Sequence, residues 1–180
     1  MIVDIGGGKT EVSVVSMGGV VVGRGIKTAG NDFDESIINY IKMKYGILIG
    51  GNSAEKIKMN IDKEISLVRG RDLETGLPKS VKLTNNEVRE AVALDMAKIV
   101  RLVSLILDET PPELMEDILK RGISLVGNGA KIDGISALIE SKTKIFCRLV
   151  EGGDMAIIKG CGELIQNRKL LGQIKLVSKL

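Results

Sequence analysis

The sequence predicts an α/β fold built on a mixed sheet, and three features carry that expectation. A β-branched meander opens the chain, helix and strand patterns alternate from Ile123 onward, and glycine turns follow strands near Gly6 and again near Gly127. Strands first and alternating helix and strand afterwards bring antiparallel and parallel neighbours into one sheet. At 180 residues the chain fits one domain, or two small lobes, with a proper core.

The elements follow in order. The first strand is cut short, because only Met1-Ile2-Val3 precede Asp4 where a strand normally runs about five or six residues. Val12 to Val15 and Val20 to Ile26, separated by Gly18-Gly19, complete the meander. Asn31 or Asp32 caps a helix in which Ile37, Ile38 and Ile41 recur at helical spacing, and Gly46 ends it. Ser53 begins a short helix carrying Ala54, Ile57 and Ile61. Two strands, Ile65 to Val68 and Ser80 to Leu83, flank an irregular loop from Arg69 to Lys79. Thr84 with Glu87 three residues on is a capping box, and helical patterning then runs from Val88 to Leu107, stopping near Thr110-Pro111-Pro112. A short helix from Glu113 to Lys120 comes next. Strand Ile123 to Val126, helix Ile132 to Ile139, strand Ile145 to Val150 and helix Met155 to Ile165 close the pattern. The charged stretch from about 50 to 83, short in strands, has the character of an insertion.

Composition removes whole classes of function. Hydrophobic residues at 44% and charged residues at 27% are those of a globular chain. A net charge of +3 is too small to argue for nucleic acid, and 2% aromatics leave no stacking platform for bases. No run of apolar residues is long enough to span a membrane. Cys147 and Cys161 form no CxxC pair, which suits a reducing cytosol. With no histidine, Ser-His-Asp and Cys-His catalysis and the common zinc sites are excluded. Carboxylates, hydroxyls, lysines and backbone amides remain for any chemistry.

The most informative stretch is Asp4-Ile5-Gly6-Gly7-Gly8-Lys9-Thr10-Glu11. Gly8-Lys9-Thr10 is not the end of a Walker A loop, because Val3 stands where that motif needs glycine and a strand follows where it needs a helix. An Asp-x-Gly-Gly-Gly-x-Thr hairpin instead offers phosphate the backbone N–H groups of a turn; a ligand-free glycine hairpin has the same signature. The second turn, Gly127-Asn128-Gly129-Ala130, follows a buried strand, where α/β folds place ligands. Ile132 in place of a third glycine rules out a dinucleotide fingerprint, and a plain strand–helix turn reads the same way.

The two turns, in this order, resemble the phosphate and adenosine motifs of the actin-like ATPase superfamily. Ala156 to Gly162 is similar to the small-residue helix near the end of such domains, where glycine lets lobes pack closely. The resemblance narrows to the MreB family of bacterial actin-like cell-shape proteins on Asp4 to Val12, Asn39-Tyr40-Ile41, Arg69-Gly70-Arg71-Asp72 with Thr75 to Lys79, and Thr110 to Leu114. It covers residues 1 to about 167, as the family's carboxy-terminal half. It implies a ribonuclease-H-like, actin-type subdomain with a mixed sheet (1–49 and 106–167), a small inserted α/β subdomain (50–105) and, outside the match, an amphipathic tail (168–180).

Carried over residue by residue, the resemblance implies ATP and Mg2+ as ligands. Asp4 is then the catalytic residue at the metal and the attacking water. Gly6, Gly7, Gly8 and Thr10 offer amide and hydroxyl groups to the β- and γ-phosphates. Glu55 and Lys58, one helical turn apart, hold the ribose and adenine edge, although a solvated helix pair has the same spacing. Gly127, Asn128, Gly129 and Ala130 let the backbone approach the adenosine. Lys9 departs from the family's usual threonine; a cation there either favours polyphosphate or points to solvent. Asn128 replaces a glycine, a substitution that left-handed backbone tolerates.

The family's first phosphate loop, water-positioning glutamate and membrane anchor are expected to lie in a first half that this sequence lacks, so hydrolysis by this chain alone is expected to be negligible. The resemblance further implies head-to-tail self-association into filaments, work with membrane-associated shape machinery, and a cytoplasmic location beneath the inner membrane, without nucleic acid. Other superfamily ATPases, such as a chaperone or small-molecule kinase, and a non-enzymatic assembly module or gene remnant are the rival readings. Leu170, Leu171, Ile174 and Val177 in the tail, with Arg168, Lys169, Lys175 and Lys179, fit a basic amphipathic helix that lies on a membrane or packs on its own domain.

Overall fold

The computed structural model describes residues 1–61, 64–167, 169 and 172. Two sheets organise them. The larger has the order β3-β2-β1-β7-β8, from β1 (Ile2–Ile5), β2 (Thr10–Ser16), β3 (Gly19–Ile26), β7 (Ile123–Val126) and β8 (Cys147–Leu149). β1 pairs antiparallel with β2 and parallel with β7, so the sheet is mixed, as its sequence pattern requires. The smaller sheet is antiparallel, β4 (Ile47–Leu48), β5 (Ile65–Asp72) and β6 (Pro78–Thr84).

The alternation of the first strands decides which face is buried. Val3, Ile5, Val12 and Val14 are at most 2% exposed and form the core face. Against it lie α1 (Gly30–Tyr45), through Phe33, Ile37 and Ile41, and α3 (Asn85–Glu109), through Val92, Ile99, Val103 and Ile106. Each such buried side chain contributes about 2 kcal/mol. Asp95, buried on α3, accepts from Ser36 of α1 at 2.6 Å and from Lys98 at 2.8 Å, which ties the two helices with satisfied polar groups. The opposite face, carrying Ile2, Asp4, Glu11 and Ser13, opens onto a groove of about 770 Å³ that Ala156 and Ile157 of α6 (Ala156–Gln166) border.

Several boundaries differ from the sequence reading. The first helix begins at Gly30 with Ala29 in the cap position; Asp32 accepts from the Ala29 N–H at 2.9 Å from inside the first turn, and the Asn31 amide side chain faces the first glycine turn instead of capping. Gly46, at φ 65°, ends that helix as expected. α2 (Gly51–Lys58) starts ahead of Ser53. The stretch expected as an irregular loop is mostly strand: β5 runs through Asp72 and β6 starts at Pro78, because β4 supplies a second partner at Ile47↔Asp72 and Leu48↔Arg71. Thr84 and Glu87 form the expected capping box, with Glu87 accepting from the Thr84 N–H at 2.7 Å, and the helix begins at Asn85. After α4 (Pro112–Arg121) and β7, a 3-10 turn (Asn128–Lys131) precedes α5 (Ile135–Thr143), since Gly134 at φ 89° breaks the helix expected from Ile132. Strand β8 (Cys147–Leu149) is shorter than the strand expected from Ile145 to Val150. α6 buries none of its residues, and Gly160 and Gly162 meet open space instead of a packed lobe. The amphipathic tail falls outside the described residues, apart from Lys169 and Gly172.

Candidate phosphate-binding site

The site forms where β1 ends. The Gly6 N–H donates to the Lys9 carbonyl at 3.0 Å, closing the turn between β1 and β2. From behind, the start of α1 clamps it: the Gly30 N–H donates to the Gly6 carbonyl at 3.1 Å and the Asn31 N–H to the Gly7 carbonyl at 2.7 Å. A trans peptide points its N–H opposite its C=O. With both carbonyls drawn toward α1, the N–H groups of Gly7 and Gly8 therefore point away from it, and among the described residues they donate to no protein acceptor. Two neighbouring amides aimed outward have the geometry that suits an anion-binding nest. Gly7 and Gly8 are exposed, so the nest faces solvent.

The second turn leans on the first. β7 lies parallel to β1 with Val126 beside Asp4, and the Gly127 N–H donates to the Gly153 carbonyl at 3.1 Å. Gly127 sits at φ 85°, ψ 159°, a region essentially reserved for glycine. A Cβ there would lie 2.5 Å from Asp4 Oδ1; at Gly129 it would lie 2.5 Å from Ile5 Cγ2 and 3.0 Å from the Gly6 carbonyl oxygen. Asn128 is exposed and its φ is not positive, so Gly127, one residue earlier, supplies the unusual backbone. Ala130 is buried, 5% exposed, beneath the turn.

Asp4 stands between the turns on the open face. Burial pushes its carboxyl above the ordinary aspartate range, and Glu11, its cross-strand partner, adds to the shift. Lys9 turns back along the hairpin and pairs with Glu11 at 2.7 Å. The Thr10 hydroxyl is buried and donates to the Thr28 carbonyl at 2.6 Å, so the fold itself uses it.

Lys58 reaches across from α2. Its side chain is 12% exposed, pairs with Asp34 at 2.8 Å and donates to the Gly30 carbonyl at 3.0 Å, directly behind the first turn. Asp34 Oδ1 is buried and has no hydrogen-bond partner among the described residues. Lys58, Met59, Ile61, Lys131 and Asp133 line a cavity of about 310 Å³ between α2 and the second turn. Lys131 is held by Asp154 at 2.8 Å, and Asp133 pairs with Arg89. Glu55 is exposed one helical turn before Lys58 and does not line this cavity.

The structure thus brings Asp4, Gly6 to Lys9, Gly127 to Ala130 and Lys58 into one region, and does not bring Glu55 into it. Sequence reasoning missed Asn31 and Asp34, which support the first turn and Lys58, and the charged lining residues Lys131 and Asp133. Only their positions just after a turn marked them, and polar residues are ordinary there. Among the described residues no three acidic or thiol groups cluster as a metal site.

A family model described as MreB/Mbl protein matches residues 1–173. The chain belongs to the MreB/Mbl family. It is 39% identical over 184 residues to the cell shape-determining protein Mbl of Bacillus subtilis, covering 98% of this chain and 55% of that protein. Against the cell shape-determining protein MreB of Escherichia coli it is 40% identical over 174 residues, 92% of this chain and 50% of that one. The chain therefore spans about half the length of the curated MreB/Mbl relatives it matches. Among solved structures, MreB 5 of Spiroplasma citri bound to AMPPNP superposes with a TM-score of 0.88 at 35% identity, covering 93% of this chain and 53% of that chain. A structure of the same protein bound to ADP superposes with a TM-score of 0.87. A MamK double helical filament shares the fold, with a TM-score of 0.78 at 22% identity. No described helix is long and apolar enough to cross a membrane.

Proposed function

We propose that this chain is the carboxy-terminal half of an MreB-type, actin-like cell-shape protein and supplies one wall of its nucleotide site. The observation that carries this reading is the outward pair of Gly7 and Gly8 amides, set beside Asp4 and backed by the second turn. The amides receive the phosphates of ATP. Asp4 is the residue that would hold a magnesium ion, a cation that takes oxygen ligands and keeps much of its water shell. When bound, that ion offsets phosphate charge. Lys58 and the cavity beside Gly127 to Ala130 receive the nucleoside. AMPPNP and ADP in the Spiroplasma citri structures support this choice of ligand.

In the intact protein, nucleotide-dependent protomers stack head to tail into filaments that guide cell shape at the cytoplasmic side of the membrane. The small sheet of one protomer meets the large sheet's subdomain of the next. Phosphoryl transfer depends on positioning and charge stabilisation from both sides of the nucleotide, so one wall binds weakly. Calorimetry with Mg-ATP should give a dissociation constant of about 100 μM or weaker, near −5.5 kcal/mol. Sub-micromolar binding would contradict the half-site; complete absence of binding at millimolar nucleotide would remove the phosphate role. In a full-length protein, Asp4→Ala should slow hydrolysis at least about tenfold, and unchanged turnover would leave the turn purely structural.

A further inference from the structure

Lys9 carries no role in the nucleotide wall proposed above, yet it occupies the turn beside the two outward amides. Its stem lies over Gly25, where an added Cβ would come within 2.9 Å of Lys9 Cε and 3.2 Å of Glu11 Cγ, so that glycine leaves a trough for both side chains. The ammonium rests on Glu11 at 2.7 Å, with both side chains about half exposed, at 50% and 46%. An ion pair this exposed contributes little to stability and is readily exchanged. Asp4 and Glu11 are cross-strand neighbours of like charge, so the ground facing the amides carries two carboxylates that repel phosphate. The nearby cations on the other side are engaged: Lys58 with Asp34, and Lys131 with Asp154.

We infer that Lys9 is a phosphate-recognising residue, parked on Glu11 until a polyphosphate reaches the Gly7-Gly8 amides, when the ammonium transfers from carboxylate to phosphate. A flexible four-carbon stem permits that swing, and the trade replaces an exposed pair with charge-assisted bonds to a dianionic or more highly charged group. Binding then depends on the number of phosphates more steeply than an amide nest alone would allow. The inference rests on reading the first turn as a phosphate cradle.

The test is an NMR titration of the chain with inorganic tripolyphosphate, ATP and AMP, each with Mg2+, in wild type, Lys9→Gln, Lys9→Arg and Glu11→Gln. Lys9→Gln should weaken tripolyphosphate and ATP by about tenfold while leaving AMP and the melting temperature unchanged. Lys9→Arg should retain most of the affinity, and Glu11→Gln, by freeing the ammonium, should tighten tripolyphosphate. Wild-type affinity in Lys9→Gln overturns the inference and leaves the nucleotide reading intact, as does an equal loss for AMP and ATP. If Lys9→Gln loses tripolyphosphate but wild type binds ATP no better than tripolyphosphate, the inference stands and the nucleoside part of the reading falls. Wild type that binds neither overturns both.

Discussion

The two glycine turns look alike in sequence and differ in what the glycines are for. In the second, Gly127 and Gly129 are compressed against β1, with Asp4 Oδ1 and Ile5 Cγ2 each 2.5 Å from where a Cβ would sit. In the first, Gly7 and Gly8 have room: a Cβ would meet only the Asn31 side chain, at 3.5 Å and 4.0 Å. The fold requires glycine at the second turn because two backbones cross there. It imposes no such need at Gly8, where the absent side chain instead keeps the backbone amides open to an approaching group. Glycine forced by packing and glycine left open in a nest are different evidence, and only the second kind points to a ligand.

Substitution should separate the two kinds. Gly127→Ala combines a disfavoured backbone region with overpacking against Asp4 and Ile5, and should cost about 3 kcal/mol of stability by urea denaturation. Gly129→Ala, whose φ is not positive, carries only the overpacking and should cost about 2 kcal/mol. Equal, small effects from both would break the comparison. Gly8→Ala should be neutral or slightly stabilising, within about 0.5 kcal/mol, because the new methyl makes only an ordinary contact with the Asn31 side chain, at 4.0 Å, and the unfolded chain loses freedom. The same variant should weaken Mg-ATP binding, and unaltered binding would strip the first turn of its distinction.

Acid sensitivity must be kept apart from these effects. The Tyr45 hydroxyl and the Thr84 N–H, with Lys44 alongside, hold Glu87 down to about 2 from 4.5. A carboxyl depressed on folding adds stability above its unfolded pKa, and that stability is lost as pH falls through the folded value. Stability should therefore decline between about pH 4.5 and pH 2. Glu87→Gln should flatten that decline, while Gly8→Ala should leave it untouched. The thiols give a smaller contrast: burial, then Glu140, pushes Cys147 up to about 12, whereas Cys161 is exposed. A thiol reagent at pH 8 should label Cys161 in the native protein and spare Cys147.

Much of the fold was legible because local chemistry and packing agree. The Thr84-Glu87 box, Gly46 as a stop and the β-branched runs each mark an element that exists. The two largest failures share a cause, a partner distant in sequence. Nothing near Arg71 announces that β4, more than twenty residues earlier, will draw it into a strand. The cap of α1 was misplaced because Asn31 serves the glycine turn about 24 residues upstream. At the site, Asp4 and the two turns stood out as motifs. Their meeting, the clamp from α1 and the Lys58–Asp34 pair depend on the β1–β7 pairing and on helix docking, which no short window encodes.

The claim that the first turn is a phosphate nest is tested most directly by following backbone amide resonances during an Mg-ATP titration. The account predicts that the Gly7 and Gly8 N–H signals move furthest, with Asp4 and Lys9 following and Gly160 and Gly162 unmoved, at a dissociation constant of about 100 μM or weaker. Shifts confined to α6 or the small sheet, with Gly7 and Gly8 silent under saturating nucleotide, would contradict it.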